Sequence, residues 1–486
     1  MKLKYGSICL LSWLLMATTS CKDYLELEPQ DNLVQDEFWQ NKEQVNSAVA
    51  ACYAAMNESG FTDRVIMWGE LRAEMLVSVN ASSAQQNMMK NYNTVSSTLS
   101  TWSNFYETIN YCNMVLAYAP QAQELDPTFS EYEMNKYMGE ALAIRALNYL
   151  ILVKNFKEVP LVLTATLNDQ TDFYVSKNTE SEIIDQIEED LTTAIGYLPE
   201  GYAQSSAYDK GRMTKGAALA ILADTYLWSY QYDKCIDACD AITALNKYSL
   251  VSGSEWFDAI FFEGNSSEGI FELQFDVLFS TLKNYYYYAS PTFKAYTLMA
   301  ELFPITETDK RGHLASYDRS YSAIFKFAGV SPITGSYRSS SQFYNTWIFY
   351  RYAEVLLMQA EAYLYSDTKK DLDMAYSLMS RVHERATGLP LEVNITEGDL
   401  ETALLTERKK ELAFEGKRWY DLLRFARRNN FEKHQLILTM AEIKTSTDDY
   451  DEIISNFSDT ASYFLPIYSG EINLNPNLEQ NPYYQY

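Results

Sequence analysis

Two stretches of the chain, GEALAIRALNYL (139–150) and GAALAILADTYL (216–227), match at eight of twelve positions with an offset of 77 residues. Their shared pattern, Leu-x3-Ala-x2-Tyr-Leu, returns in YAEVLLMQAEAYL at Leu356, Ala360, Tyr363 and Leu364. Spacings of four and three place these side chains on one face of a helix. Small residues on that face let a second helix approach closely, and the Tyr of the next turn fills the space that remains. A chain organised by such a unit must bury each copy against a neighbour, so it is committed to helices that pack in pairs.

Plausible partner helices follow each copy: SEIIDQIEEDLTTAIGYLP after Leu150 and a loop near Pro160, YDKCIDACDAITAL after Leu227, and DLDMAYSLMSRVHERA after Leu364. The packing logic is that of tetratricopeptide helix pairs, unevenly spaced by insertions. Further helices are predicted over 36–57, 100–118 and 404–428. The fold class is therefore mainly α, a scaffold of tetratricopeptide-like pairs. Between about 251 and 345 the helical period is lost. EGIFELQFDV (268–277) alternates like a half-buried strand, and Ser, Gly, Tyr and Pro dominate the rest. A loop-rich insertion of this length with short strands is too long for a connector and reads as functional.

The N-terminus has a separate logic. Lys2 and Lys4 precede the apolar run ICLLSWLLM (8–16), which is shorter than the roughly 20 residues that span a bilayer. It reads as a secretory signal, 1–20. TTSC (18–21) resembles a lipoprotein signal, although Thr18 departs from the usual aliphatic residue, and makes Cys21 the lipid-bearing first residue of the mature protein. Residues 21–35 then form a tether to one body over 36–486. No other segment is apolar enough over enough length to cross a membrane.

The formal charge is -26. Phosphate-backbone binding requires clustered Lys and Arg, so nucleic acid is an unsuitable partner. Acidity also opposes an anionic ligand except where cations cluster locally. Cys52, Cys112, Cys235 and Cys239 fall inside apolar helical patterns as small hydrophobes, which gives no disulfide framework. The three histidines show no ligand spacing, and neither metal nor cofactor is expected.

Glu407, Glu411 and Glu415 in ERKKELAFEGKRWYDLLRF recur every four residues in the manner of catalytic carboxylates. Leu405, Leu412, Trp419 and Ala426 recur every seven, with Arg408, Glu415 and Leu422 on the adjoining stripe, which favours structural ion pairs instead. No nucleophile elbow, phosphate loop or zinc-protease motif is present. The chain is read as a binding protein and not an enzyme.

The order of SCKDYL, WSNFYETINYCNMVL (102–116), EALAIRALNYLILVKNFKEVPL (140–161), GRMTKGAALAILADTYL (211–227), RYAEVLLMQAEAYL (351–364), ERKKELAFEGKRWYDLLRF (407–425) and FLPIYSGEINLNPNLEQNPYY (464–484) resembles the SusD/RagB family of Bacteroidota outer-membrane lipoproteins. The resemblance implies four tetratricopeptide-like pairs and a variable loop-rich face. It also implies glycan capture at the cell surface beside a SusC-like TonB-dependent transporter, with a peptide-binding RagB-like role as the alternative and a glycoside hydrolase as a more distant one. In this family CKDYLELE resembles the signal that sends a lipoprotein to the outer face. The family's ligand site is assembled from loops in two regions, which here hold Trp68, Asn91, Tyr92 and Asn93 in one and Tyr285 to Tyr288 in the other, with Tyr286 and Tyr288 as the expected platform pair. Aromatic faces accept the apolar side of a sugar ring, and side-chain amides its hydroxyls.

Overall fold

The computed structural model describes residues 38–166, 174–275, 282–287, 289–304, 308–328, 338–339, 345–444 and 449–485. Cys21, the signal segment and the whole of the tether lie outside them, as does Tyr288.

The repeat does what its spacing requires. Leu142, Ala146, Tyr149 and Leu150 are buried, as are Leu219, Ala223, Tyr226 and Leu227, and Leu356, Ala360 and Leu364. The helices that carry them pack in pairs. The first pair joins α1 (Lys42–Asn57) to α3 (Ser103–Leu125), separated in the chain by α2 (Ser59–Glu70). The next joins α4 (Glu131–Phe156) to α5 (Glu180–Tyr197), and the third α6 (Lys215–Trp228) to α7 (Tyr232–Ala244). The fourth joins α8 (Tyr352–Tyr365) to α9 (Leu372–Thr387). Contacts of α3 with α4, α5 with α6 and α7 with α8 link the pairs in chain order. Side-chain caps start the helices: Ser130 with Glu133 and Thr179 with Glu182 form capping boxes, and Thr214 caps α6. Residues 216 to 228 of α6 are all buried, because its small side chains admit neighbours on every side.

Among the described residues the insertion carries four of the six short strands, and a fifth follows directly after it. β1 (Leu76–Ser78) lies upstream and pairs with β3 (Phe293–Ala295); β4 (Tyr317–Asp318) pairs with β5 (Ala323–Ile324). β2 (Gly269–Leu273) pairs antiparallel with β6 (Trp347–Arg351), which feeds directly into α8. Here the expectation of a half-buried strand is corrected: all five residues of β2 are buried. Its polar side chains are paired, Glu272 with Thr346 and the Asn265 amide.

The charged motif near the C-terminus is a second correction. Instead of one helix over 404–428, α10 (Glu397–Glu411) and α11 (Arg418–Phe431) are separated by a break at which Phe414 and Gly416 take positive φ values of 66° and 72°. The break aims its carboxylates inward. Glu411 and Glu415 are 0% and 3% exposed. Arg351 bonds both, together with Glu268, at 2.6 to 2.9 Å. Lys326 holds Glu415 at 2.6 Å, while Arg311 binds Asp309, Glu407 and Glu411. Arg385 closes the ring on Glu268 and Glu411, and Lys410 stands at its edge near Asp309. Five cations thus face five carboxylates. Burial alone would raise Glu411, yet Arg385, Arg351 and Arg311 together hold its carboxyl well below the ordinary range. Arg408 is likewise buried, on Asp421. The buried carboxylates Glu411 and Glu415 are thus committed to structural ion pairs.

Candidate functional site

The two loop regions singled out in the sequence meet. Their junction is the β1–β3 ladder, extended by the Val79 amide donating to the Thr292 carbonyl at 2.9 Å and the Asn80 side chain to Pro291. Not all of the expected residues reach the surface there. Trp68 is fully buried between Phe105 and Phe156, its indole N–H given to the Leu99 carbonyl at 2.8 Å. Tyr286 is 1% exposed and stacks on Phe327, which stacks in turn on Trp347. Both rings are core, and neither offers a ligand a face. Tyr285 and Tyr286 stand on one short helix, Leu282–Tyr286, and are both buried, so Tyr286 offers no platform face.

Asn91 is also structural. It ends the helix Ser83–Met89 at φ 54°, a left-handed conformation that Asn tolerates better than most residues. Its amide donates to the Asn456 carbonyl and the Ser462 hydroxyl, while its oxygen accepts from Arg72. Asn93 turns inward toward Asn91 and Tyr484. Tyr92, between them, is left 51% exposed.

Lys90, two residues before Tyr92, lines a cavity of about 300 Å³, and Tyr92 itself stands outside that lining. The apolar wall is Leu76, Val77, Met89, Tyr296 and Ile453. Ser78, Gln86, Lys90, Asp449 and Lys444 supply polar groups; Lys444 ends α12 (Gln435–Lys444). Lys90 and Asp449 pair at 3.1 Å. Val79 and Tyr450, next to lining residues, are exposed large apolar side chains like Tyr92. The volume is at the lower bound of small-molecule sites, which combine apolar walls with a few convergent polar groups. Sequence reasoning missed Tyr296, Lys444 and Tyr450; the polar run TSTDDYDE around Tyr450 is the signal available for the last. A larger cavity of about 590 Å³ opens among α10, α11 and α12, but no aromatic side chain lines it.

Buried under this region is Glu70, whose Oε1 accepts the Gly416 amide at 2.6 Å and whose Oε2 has no hydrogen-bond partner among the described residues. Burial pushes its carboxyl up to about 8. Among the described residues no cluster of His, Cys, Asp and Glu has the makings of a metal site, and no helix is long and apolar enough to cross a membrane. Cys52, Cys112, Cys235 and Cys239 are buried free thiols.

Comparison with known proteins fits this architecture. Residues 275–484 match the model of the SusD family, and residues 23–227 match one described as starch-binding associating with outer membrane. SusD-like protein P38 of Formosa agariphila is 26% identical, with 96% of each chain covered. A SusD superfamily protein from Bacteroides vulgatus superposes with a TM-score of 0.75 at 23% identity, over 92% of this chain and 99% of the other. A laminarin binding SusD-like protein superposes at 0.68 with 22% identity, over 92% and 100%. With one family model on its N-terminal part, another on its C-terminal part and the same helical body in solved relatives, this chain belongs to the SusD family.

Proposed function

We propose that the protein is a cell-surface glycan-binding lipoprotein, anchored in the outer membrane through lipid on Cys21, that passes captured oligosaccharide to a SusC-like TonB-dependent transporter. The observation that carries the reading is the cavity at the β1–β3 junction. It combines apolar walls with Ser, Gln, Asp and Lys hydrogen-bonding groups, and exposed Tyr92 and Tyr450 stand beside its lining residues. Sugar rings require this mixture, a flat apolar surface for their C–H faces and polar side chains for their hydroxyls. The laminarin-binding relative supports the ligand class. Catalysis is not part of the proposal, because the carboxylate row Glu407, Glu411 and Glu415 is buried and committed to Arg and Lys.

Native affinity gels cast with a panel of polysaccharides test the reading, followed by a reducing-sugar assay on the purified protein. Retention by at least one glycan without release of reducing ends is expected. Retention by peptides alone would move the assignment to a RagB-like peptide binder, and turnover would make the protein a hydrolase.

A further inference from the structure

Resting on the glycan-binding reading above, we infer that the ligand carries an acidic group, a uronate carboxylate or a sulfate ester, and that Lys444 receives it in the cavity beside β1. Cations inside this protein are matched as a rule: Lys154 meets Asp224, Arg145 meets Asp190, Arg424 meets Glu361, and Arg351 meets three carboxylates. Lys444 departs from the rule. Its ammonium donates to the backbone carbonyls of Leu71 at 3.0 Å and Met89 at 2.6 Å, and no described carboxylate lies within ion-pair distance. Two of its three N–H groups are thereby used, on a residue that lines the cavity.

A second cation stands behind the same wall without a carboxylate. Arg72 is fully buried, donates to Asn91 and the Ser462 carbonyl, and lies 4.0 Å over the Trp419 ring. Its Nε and Nη1 have no hydrogen-bond partner among the described residues. Glu74, the nearby acid, is engaged by Arg418 and Lys409. Among the described residues, a chain of net charge -26 therefore keeps Lys444 and Arg72 at one cavity without a carboxylate of their own. Buried charge is costly unless an opposite charge compensates it, and the acids nearest Lys444 are engaged elsewhere, Glu74 by Arg418 and Lys409 and Asp449 by Lys90. An anionic sugar supplies the missing partner. The overall negative charge does not forbid this, because exposed charges beyond about 8 Å are largely screened at physiological salt, whereas a contact in the cavity is not. Burial supports the geometry by pushing the ammonium down to about 7.

The test casts affinity gels with neutral glycans (laminarin, starch, xylan) and acidic ones (polygalacturonate, alginate, chondroitin sulfate, carrageenan). Retention by an acidic polymer is expected, and the carboxylated and sulfated members separate the two sources of charge. Oligomers of the retained polymer then go to calorimetry. Lys444→Met should weaken them roughly ten- to hundredfold, the range of a charge-assisted hydrogen bond. Lys444→Arg should restore most of the binding, and the carboxyl-reduced or desulfated oligomer should bind wild type as weakly as the parent oligomer binds Lys444→Met.

A measurement on wild type alone guards against a misfolded variant. Affinity should fall by about tenfold from pH 6 to pH 8.5 as the ammonium loses its proton, while uronate and sulfate stay ionised. The groups facing Lys444 are Arg72, Glu74, Lys90 and Asp449, with Phe457 at 5.9 Å, whose carbonyl meets His434. Retention by neutral glycans only, or equal binding of the charge-free oligomer, overturns the inference and leaves the glycan reading standing. Retention by no glycan overturns that reading too.

Discussion

Arg351 is the side chain on which the buried ion cluster turns, and its removal gives the clearest test of how the scaffold is held. Arg351→Met keeps most of the apolar stem but withdraws the guanidinium from Glu268, Glu411 and Glu415. Each carboxylate keeps at least one other cation: Arg385 for Glu268, Arg311 and Arg385 for Glu411, and Lys326 for Glu415. Charge balance is nevertheless lost, with five acids left facing four cations. Breaking a buried pair from one side costs about 3 to 5 kcal/mol. Unfolding entropy of about 2.1 cal/mol/K per residue, over a body of about 450 residues, makes 1 kcal/mol worth roughly 1 °C. The melting temperature should therefore fall by about 3 to 5 °C in scanning calorimetry. Adding Glu268→Gln restores the balance and leaves Arg385 on Glu411, so the double variant should recover about 0.5 to 3 kcal/mol relative to the sum of the single losses. A melting temperature for Arg351→Met within 1 °C of wild type, or a double variant that shows simple additivity, would refute the claim that the cluster acts as one charge-balanced unit.

Three further outcomes are expected. Glu70 takes up a proton on folding, because its folded value near 8 lies above the ordinary carboxylate range; stability should fall as pH rises from about 5 to 8, by roughly 1.4 kcal/mol per unit, and Glu70→Gln should flatten that slope in denaturant melts. Trp68→Ala should cost about 3 to 5 kcal/mol of stability and leave the affinity of the folded fraction intact, whereas Tyr92→Ala should weaken glycan binding by roughly three- to tenfold at an unchanged melting temperature. Cys21→Ala should release the protein from the membrane fraction on cell fractionation; full retention would remove the lipid anchor from the proposal.

The scaffold was legible because its evidence is local. Leu142, Ala146 and Tyr149, with their counterparts, share a face whatever the rest of the chain does, so a repeat read along the sequence predicts burial correctly. The break between α10 and α11 was hidden by a heptad that runs straight through it, although Gly416 marks the place where the backbone needs a positive φ. The site was half legible. The two loop regions chosen in the sequence meet at the β1–β3 ladder, but Trp68 and Tyr286, chosen with them, are claimed by rings distant in the chain, Phe105 and Phe327. Periodicity carries no information about such partners. Lys444 and Tyr296 escaped for the same reason, since only tertiary packing brings them to β1.

The bonds that fix Asn91 have a consequence for the order in which the molecule acquires its properties. They join it to Asn456 and Ser462, and Arg72 reaches the Ser462 carbonyl across 390 positions of sequence. A chain threaded out from its N-terminus can zip up each helix pair from nearby segments, because short loops close at little entropic cost. The wall of the cavity waits for Lys444, Asp449 and Ile453, far along the chain from Leu76 and Lys90. On the proposed function, ligand capture is thus acquired later than the helical frame, and a chain cut before Lys444 would present the helix pairs without the proposed grip.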